Sequence, residues 1–306
     1  MHLSKYEIVL KVAETKSFTR TAEYFQYTQS AISQTVKSVE EELMVSLFHR
    51  IPGGVLLSEE GKYLLPFIQK VVNEQRHLAE CVGDLQQLHS GIVRLGAYLS
   101  LSCYWIPPCI KEFQKHYPNI EFELYQEDDA TLVEMLKKGS LDLLFMSNPA
   151  KREFSSQSLF EDPFIVVVPE NHFAAKRKSI SLKELENETY ISLDVGYGPY
   201  LDRMFKDAGI KPTIKYRMID DVSILSMVEQ GLGISILPKF VTTRHSFQIS
   251  LIPVSPCYTR NLGMVTRKND YLSWSVKKFM EFADSYVPPE LNKEDPLCDC
   301  TELFLT

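Results

Sequence analysis

Apolar residues in the first sixty positions recur at helical spacing with two breaks. Leu3, Ile8, Val9 and Val12 mark a helix over 3–13, and Ser17 or Thr19 can cap a second that runs through Phe25. Thr28 can cap a third. At about 100° per residue, Ile32, Val36, Val39 and Leu43 fall on one narrow stripe of residues 28–43, while Ser30, Ser33, Gln34 and Lys37 cluster on the opposite side. Two short helices joined by a tight connection, the second bearing a polar face, make a helix-turn-helix. Leu47-Phe48-His49-Arg50, the turn Ile51-Pro52-Gly53-Gly54 and Val55-Leu56-Leu57 then predict two extended arms, a wing with Arg50 at its base.

From Ser58, an N-cap, the helical pattern continues to Leu88. Leu64, Ile68, Val71, Gln75, Leu78, Val82 and Leu85 alternate spacings of four and three, a heptad seam that needs a partner helix. Asn73, Glu74, Arg76 and Glu80 flank the seam, and Pro66 removes one backbone donor early in the helix.

Beyond Ser90-Gly91 the pattern changes to strands alternating with helices. Strands are predicted at 92–97, 120–125 and 141–146, with helices at 108–116 and 130–138 between them. A second series begins at 164–168 and runs through strands 190–193, 213–218 and 234–237, separated by helices 200–208 and 222–230. Strands near 249–254 and 262–266 and an amphipathic helix over 274–287 follow. Short apolar strands separated by helices predict parallel sheets with covered faces. Two such series with a late return to the first describe two hinged α/β lobes.

With 306 residues and 44% hydrophobic content, the chain can build two or three cored units. The net charge is −7, and residues 1–61 hold six Lys/Arg against eight Glu, a net of −2, so any nucleic-acid contact must come from a local surface. No apolar run approaches the roughly 18 residues of a membrane helix, and the first residues lack a basic segment followed by an apolar stretch. No membrane partner and a cytoplasmic address are therefore expected. The six cysteines are too scattered for a disulfide framework, and most are expected to be reduced. Cys298-x-Cys300 falls in a tail at 291–306, and two thiols alone do not make a metal site. None of the histidines lies in a metal or nucleophile motif, and Gly231-x-Gly233 stands before a strand, the wrong context for a dinucleotide fingerprint. No catalysis, metal or cofactor is expected.

The polar face of residues 28–43 carries the candidate chemistry. A solvated helix face favours long charged residues, whereas this one presents Ser30, Ser33 and Gln34, ending in Lys37. Small neutral donors and acceptors suit close approach to base edges: Gln can bond adenine bidentately, Ser can bond several bases, and Lys reaches a base or a phosphate. The bland alternative is a polar surface helix with no partner, and for Arg50 a surface salt bridge.

Ser17-Phe18-Thr19, Ala22-Glu23, Gln29-Ser30-Ala31-Ile32-Ser33, Val36-Lys37, Glu40-Glu41-Glu42-Leu43, Leu47-Phe48-x-Arg50 and Leu57-Ser58-x-x-Gly61 together resemble the N-terminal signature of LysR-type transcriptional regulators. Three positions depart from it: Thr21 replaces the second alanine of an Ala-Ala pair, Ser30 a common proline, and Met44 a glycine that ends the third helix. Ile106-Pro107-x-x-Ile110-x-x-Phe113-x-x-x-x-Pro118, Gly139-x-Leu141-Asp142-Leu143 and Val228-x-x-Gly231-Leu232-Gly233-Ile234-x-x-Leu237-Pro238 are similar to the same family's effector domain, a relative of type 2 periplasmic binding proteins.

The resemblance implies an α/β multidomain chain. Residues 1–61 form a winged helix-turn-helix, 62–90 a linker helix for dimerisation, and 91–290 a two-lobed effector domain, with lobe one at 91–162 and 268–290 and lobe two at 163–267. It implies DNA contacts from Ser17, Thr19 and Gln29 beside Ser30, Ser33, Gln34, Lys37 and Arg50, and promoter DNA as the partner. It also implies linker helices paired antiparallel, a dimer that doubles to a tetramer, and RNA polymerase as a further partner. The competing reading is a small-molecule binding protein whose N-terminal module serves assembly only.

Ligands in open α/β lobes sit beyond the carboxyl ends of the strands, in the cleft. Those places hold Tyr98, Ser100 and Ser102 after the first strand, Ser147 and Asn148 after the last strand of lobe one, and Ser192, Tyr197 and Tyr200 in lobe two. Their shared hydroxyl groups predict a small polar or anionic effector. Ser100 and Ser102, read as preceding a helix, are candidates to hold an anion with its free N–H groups, and plain helix caps are the alternative at each serine.

Overall fold

The computed structural model describes residues 4–85, 90–147, 153–193, 198–242, 246–268 and 271–286. Three helices open it: α1 (Lys5–Thr15), α2 (Phe18–Phe25) and α3 (Gln29–Leu43). Capping groups start them. Glu7 accepts from the Ser4 N–H at 2.9 Å, Ser17 from the Arg20 N–H at 3.3 Å and Thr28 from the Ala31 N–H at 3.2 Å. Each ends on a left-handed residue that is not glycine: Lys16, Gln26 and Met44, with φ of 54°, 57° and 56°. The inward stripe of Ile8, Val9, Val12, Ala22, Ile32, Val36 and Val39 forms one core with Leu47 and Val55. Thr21, in the seam between helices, settles its hydroxyl by donating to the Ser17 carbonyl at 2.9 Å and bonding Thr15 Oγ1 at 2.7 Å. The wing forms as expected, with β1 (Phe48–Ile51) antiparallel to β2 (Gly54–Leu57).

The linker helix α4 (Glu59–Leu85) starts at Ser58, whose Oγ accepts from the Gly61 N–H at 2.8 Å. Pro66 sits inside α4 without ending it. Its seam divides. Leu64 and Ile68 turn into the N-terminal core, whereas Tyr63, Phe67, Val71, Leu78, Val82 and Leu85 make the exposed stripe. The first third of the expected seam is thus rotated by one residue, because the helix must cover the winged domain before it can face a partner. Asn73 is not a solvent-facing flank either: it is 5% exposed and held against the effector domain.

The remaining elements are β3 (Gly91–Ala97), α5 (Leu99–Tyr104), α6 (Ile106–Phe113), β4 (Ile120–Gln126), α7 (Asp129–Lys137), β5 (Leu143–Ser147), β6 (Phe154–Pro169), β7 (Thr189–Leu193), α8 (Gly198–Ala208), β8 (Thr213–Met218), α9 (Asp221–Glu229), β9 (Ser235–Pro238), α10 (Lys239–Thr242), β10 (Ile249–Pro253), β11 (Thr259–Arg267) and α11 (Trp274–Ser285). A sheet of order β10-β6-β11-β5-β3-β4, with β9 also on β6, runs through both lobes, and β7 pairs β8 separately. Among the described strands β3-β4, β3-β5 and β7-β8 pair in parallel. The sheets are mixed, not purely parallel, because β11, β9 and β10 lie antiparallel to their neighbours.

The long strand β6 explains the two lobes. Its first part pairs β11, and its second part, from Phe164, pairs β9 and β10. β11 in turn pairs β5 through Leu262–Val265, so this strand, expected in lobe two, closes the sheet of lobe one. Separate apolar clusters stand around Trp105, Phe113, Phe145 and Phe279 in lobe one and around Val166, Tyr190, Leu225 and Leu237 in lobe two. Among the described cysteines Cys81, Cys103 and Cys109 are free and Cys257 is disulfide-bonded. Cys109 is fully buried and burial pushes its thiol up to about 12, whereas Cys103 is exposed. Tyr197, Asn148, Cys298, Cys300 and the tail lie outside the described residues.

Candidate nucleic-acid interface and effector cleft

Helix α3 keeps Ile32, Val36 and Val39 buried and leaves Gln29, Ser30, Gln34 and Lys37 exposed. Ser30 Oγ lies 3.0 Å from the Thr28 cap hydroxyl, and Lys37 faces Glu41 at 3.5 Å. Ser33 is half-buried, because Arg50 reaches across from the wing and donates to its Oγ at 3.3 Å. The Arg50 guanidinium also stands 5.8 Å from the centre of the Phe18 ring. Its described partners are therefore a hydroxyl and an aromatic face, not the carboxylate of a surface salt bridge. On α2, Ser17 is engaged as the cap and Thr19 is exposed.

The acidic excess of the domain is spent away from this face. Glu7 pairs with Arg76 at 3.6 Å, Glu14 with Lys11 at 2.9 Å, Glu59 with Lys62 at 2.7 Å and Glu42 with Lys5. Glu40, whose role the sequence did not disclose, accepts the Leu47 and Phe48 N–H groups at 2.6 and 3.1 Å and so fixes the wing to the end of α3. At the other end of the wing, a Cβ on Gly54 would stand 2.5 Å from the Lys16 carbonyl, which accepts the Val55 N–H at 3.0 Å. From Gln29 to Ser38 the exposed face of α3 carries no carboxylate. It can approach the anionic backbone and base edges of a duplex although the domain as a whole is acidic.

In the effector domain, Arg260 and Asp162 are ladder partners where β11 and β6 run between the lobes. Both are 0% exposed. Arg260 donates from Nε and Nη2 to Asp162 Oδ2 at 2.9 and 2.7 Å, while the Phe240 N–H donates to Oδ1 at 3.0 Å. Around this pair stand four of the expected residues. The Tyr98 ring centre is 5.6 Å from the guanidinium, Ser100 Oγ is 3.5 Å from it, and Ser147 Oγ bonds the Tyr98 hydroxyl at 2.9 Å. Tyr200, near the start of α8, lies within the field of Arg260 from the second lobe.

Two expected residues do not join them. Ser102 is tied inside lobe one, donating to Gln126 Oε1 at 2.8 Å and the Leu99 carbonyl at 3.0 Å, and Ser192 sits in β7 opposite Arg217. Ser100 and Ser102 also lie within the short helix α5 ahead of α6, not in a loop before it. Sequence reading missed Arg260, Asp162 and Asp221, single charged residues in or beside apolar strands and helices. Asp221 opens α9 and is 4% exposed. Burial pushes its carboxyl up to about 6 against the pull of Arg260, with Asp220 and Asp162 adding to the rise. Among the described residues no cluster of His, Cys, Asp and Glu could hold a metal ion, and no helix is long and apolar enough to cross a membrane.

Comparison with known proteins places both halves in one family. Residues 3–62 match the family model described as bacterial regulatory helix-turn-helix protein, lysR family, and residues 86–287 match the LysR substrate binding domain. An HTH-type transcriptional regulator of Bacillus subtilis, YybE, is 32% identical over 291 residues, covering 94% of this chain and 99% of the relative. A full-length OxyR variant from Pseudomonas aeruginosa shares the fold with a TM-score of 0.69 at 22% identity, covering 92% of this chain and 97% of that one. The effector binding domain of QuiR, solved in complex with shikimate, aligns with a TM-score of 0.58 at 26% identity over 63% of this chain and 95% of its own. The assembly-only alternative does not account for a regulatory helix-turn-helix match that spans the whole winged domain. The chain belongs to the LysR family of transcriptional regulators, DNA-binding helix-turn-helix proteins, not enzymes, that carry an effector-binding domain.

Proposed function

We propose that Gln29, Ser30, Ser33, Gln34 and Lys37 of α3 enter the major groove of promoter DNA, with Ser17 and Thr19 of α2 and Arg50 of the wing against the backbone beside it. The observation that carries this reading is the carboxylate-free exposed face of α3 with Arg50 anchored at its edge. Two copies joined through the exposed α4 stripe of Tyr63, Phe67, Val71, Leu78, Val82 and Leu85 would read an inverted repeat, and two such dimers make the tetramer. Tyr98, Ser100, Ser147 and Tyr200 bind a small polar effector at Arg260, between the lobes. The QuiR effector domain, solved with shikimate, supports a small polar molecule as the class. The protein works in the cytoplasm, where its promoter and RNA polymerase are.

An effector acts by binding one arrangement of the lobes better than another and so moving the α4 helices and the DNA heads. A gel shift on the protein's own upstream DNA, with unrelated duplex as competitor, tests the first part. Specific retention at low ionic strength is expected. A purified dimer that ignores duplex there, or binds all duplexes alike, rejects it.

A further inference from the structure

Two buried oxygens at the cleft make no hydrogen bond with any described residue: Oδ1 of Asp221 and the hydroxyl of Tyr200. Both belong to lobe two, and Arg260 acts on each of them. The neighbouring Asp220 does not share their situation, because its carboxylate accepts from the Ser223 N–H and hydroxyl at 2.7 and 2.8 Å. Buried polar atoms are ordinarily answered, and an unanswered one beside the cleft has room for a partner that the described residues do not supply.

The charges around these atoms decide what kind of ligand atom that is. Among the described residues Arg260, Lys239, Asp162 and Asp221 are all buried here, and Arg260, Asp220 and Asp162 act on Asp221. Lys239 acts on Asp162, and Arg260 meets the same carboxylate through two N–H donors. On the side of Tyr200 and Asp221 the further charged groups are acidic, Asp129 acting on Tyr200 and Asp220 on Asp221. That end of the cleft accepts hydrogen bonds; the end at Ser100 and Arg260 donates them.

We propose that the effector is a small polyol or zwitterion whose hydroxyl or ammonium donors bind Asp221 and Tyr200 in lobe two. The proposal rests on the reading of the cleft as the effector site. Its test uses the full chain with glycerol, serine, acetate and phosphate as probes, each titrated by thermal shift and soaked into crystals of wild type, Asp221→Asn and Tyr200→Phe. Glycerol or serine is expected against Asp221 and Tyr200, with an upward Tm shift and binding about tenfold weaker in Asp221→Asn, the loss of one charge-assisted hydrogen bond. Glycerol alone identifies the polyol arm and serine alone the zwitterion arm. Acetate or phosphate seated on Asp221 instead, or equal binding of serine and glycerol by Asp221→Asn and wild type, overturns the donor assignment and leaves the cleft as the effector site. If none of the probes enters the cleft at any concentration, the cleft reading and the proposal fall together.

Discussion

Asn73 of the linker helix donates from Nδ2 to the main-chain carbonyl of Lys138 at 2.6 Å, joining α4 to the first lobe of the effector domain. Gln69 Nε2 steadies it by donating to Asn73 Oδ1 at 3.0 Å. Gly139 follows in the left-handed region at φ +73°, and a Cβ there would stand 2.3 Å from Nδ2. Removing the amide in Asn73→Ala leaves a buried carbonyl unpaired and is expected to cost about 1–3 kcal/mol. Gly139→Ala adds left-handed strain of about 1–2 kcal/mol and pushes Asn73 away. Urea melts of both variants check this; midpoints equal to wild type would show that the joint holds nothing.

The DNA face separates base reading from backbone contact. Gln34→Ala is expected to cost about 1–3 kcal/mol at a specific operator and to relax preference at one base pair, with nonspecific affinity almost unchanged. As phosphate contacts, Lys37 at the rim of the groove and Arg50 on the wing are expected, on replacement by Ala, to weaken every sequence alike and to lower the salt slope by about one each. Because Arg50 also holds Ser33 at 3.3 Å, a double-mutant cycle with Ser33→Ala separates its phosphate role from its positioning of α3. Equal losses on all duplexes for Gln34→Ala would show that this side chain reads no base.

The winged domain was legible because its signals are local. Stripe, cap and turn residues lie within one helix or one hairpin of each other, and α1 to β2 fall where periodicity puts them. The cleft was half legible. Strand ends are local, so Tyr98, Ser100, Ser147 and Tyr200, which stand near Arg260, could be named from them. Arg260 and Asp162 are 98 residues apart, and only the β6-β11 register makes them partners. The same reason hid Asn73, whose polar side chain on a helix flank looks solvated until Lys138 is packed on it. The front of β6, Phe154 to Glu161, mixes serines with aromatics and gives no run of apolar residues for the eye to find.

Met44 ends α3 in the left-handed region at φ 56° and is 88% exposed, so its side chain contributes almost no burial there. Glycine takes this conformation without the Cβ penalty, and Met44→Gly is expected to stabilise the winged domain by about 0.5–1 kcal/mol. The gain is less than the full penalty, since glycine also widens the unfolded ensemble. A higher urea midpoint with unchanged operator affinity is the outcome to measure. A loss of stability would mean that the thioether packs on the domain in solution.

Asp221 gives stability a dependence on pH whose sign follows from burial. Its carboxyl rises from 3.8 to about 6 on folding, so the folded protein holds this proton more tightly than the unfolded chain does. Its contribution is fully present below about pH 4 and is lost as pH rises through about 6. At higher pH the ionised, buried carboxylate costs the fold on the order of 2–3 kcal/mol, from about 1.4 kcal/mol per pKa unit. Asp221→Asn keeps the shape and removes the charge, so it is expected to exceed wild type by roughly that amount at pH 8, with the gap shrinking towards pH 4. Urea melts across this range measure the gap directly. A constant gap would mean that folding does not shift the Asp221 carboxyl, and a wild type more stable at pH 8 would mean that Arg260 outweighs burial.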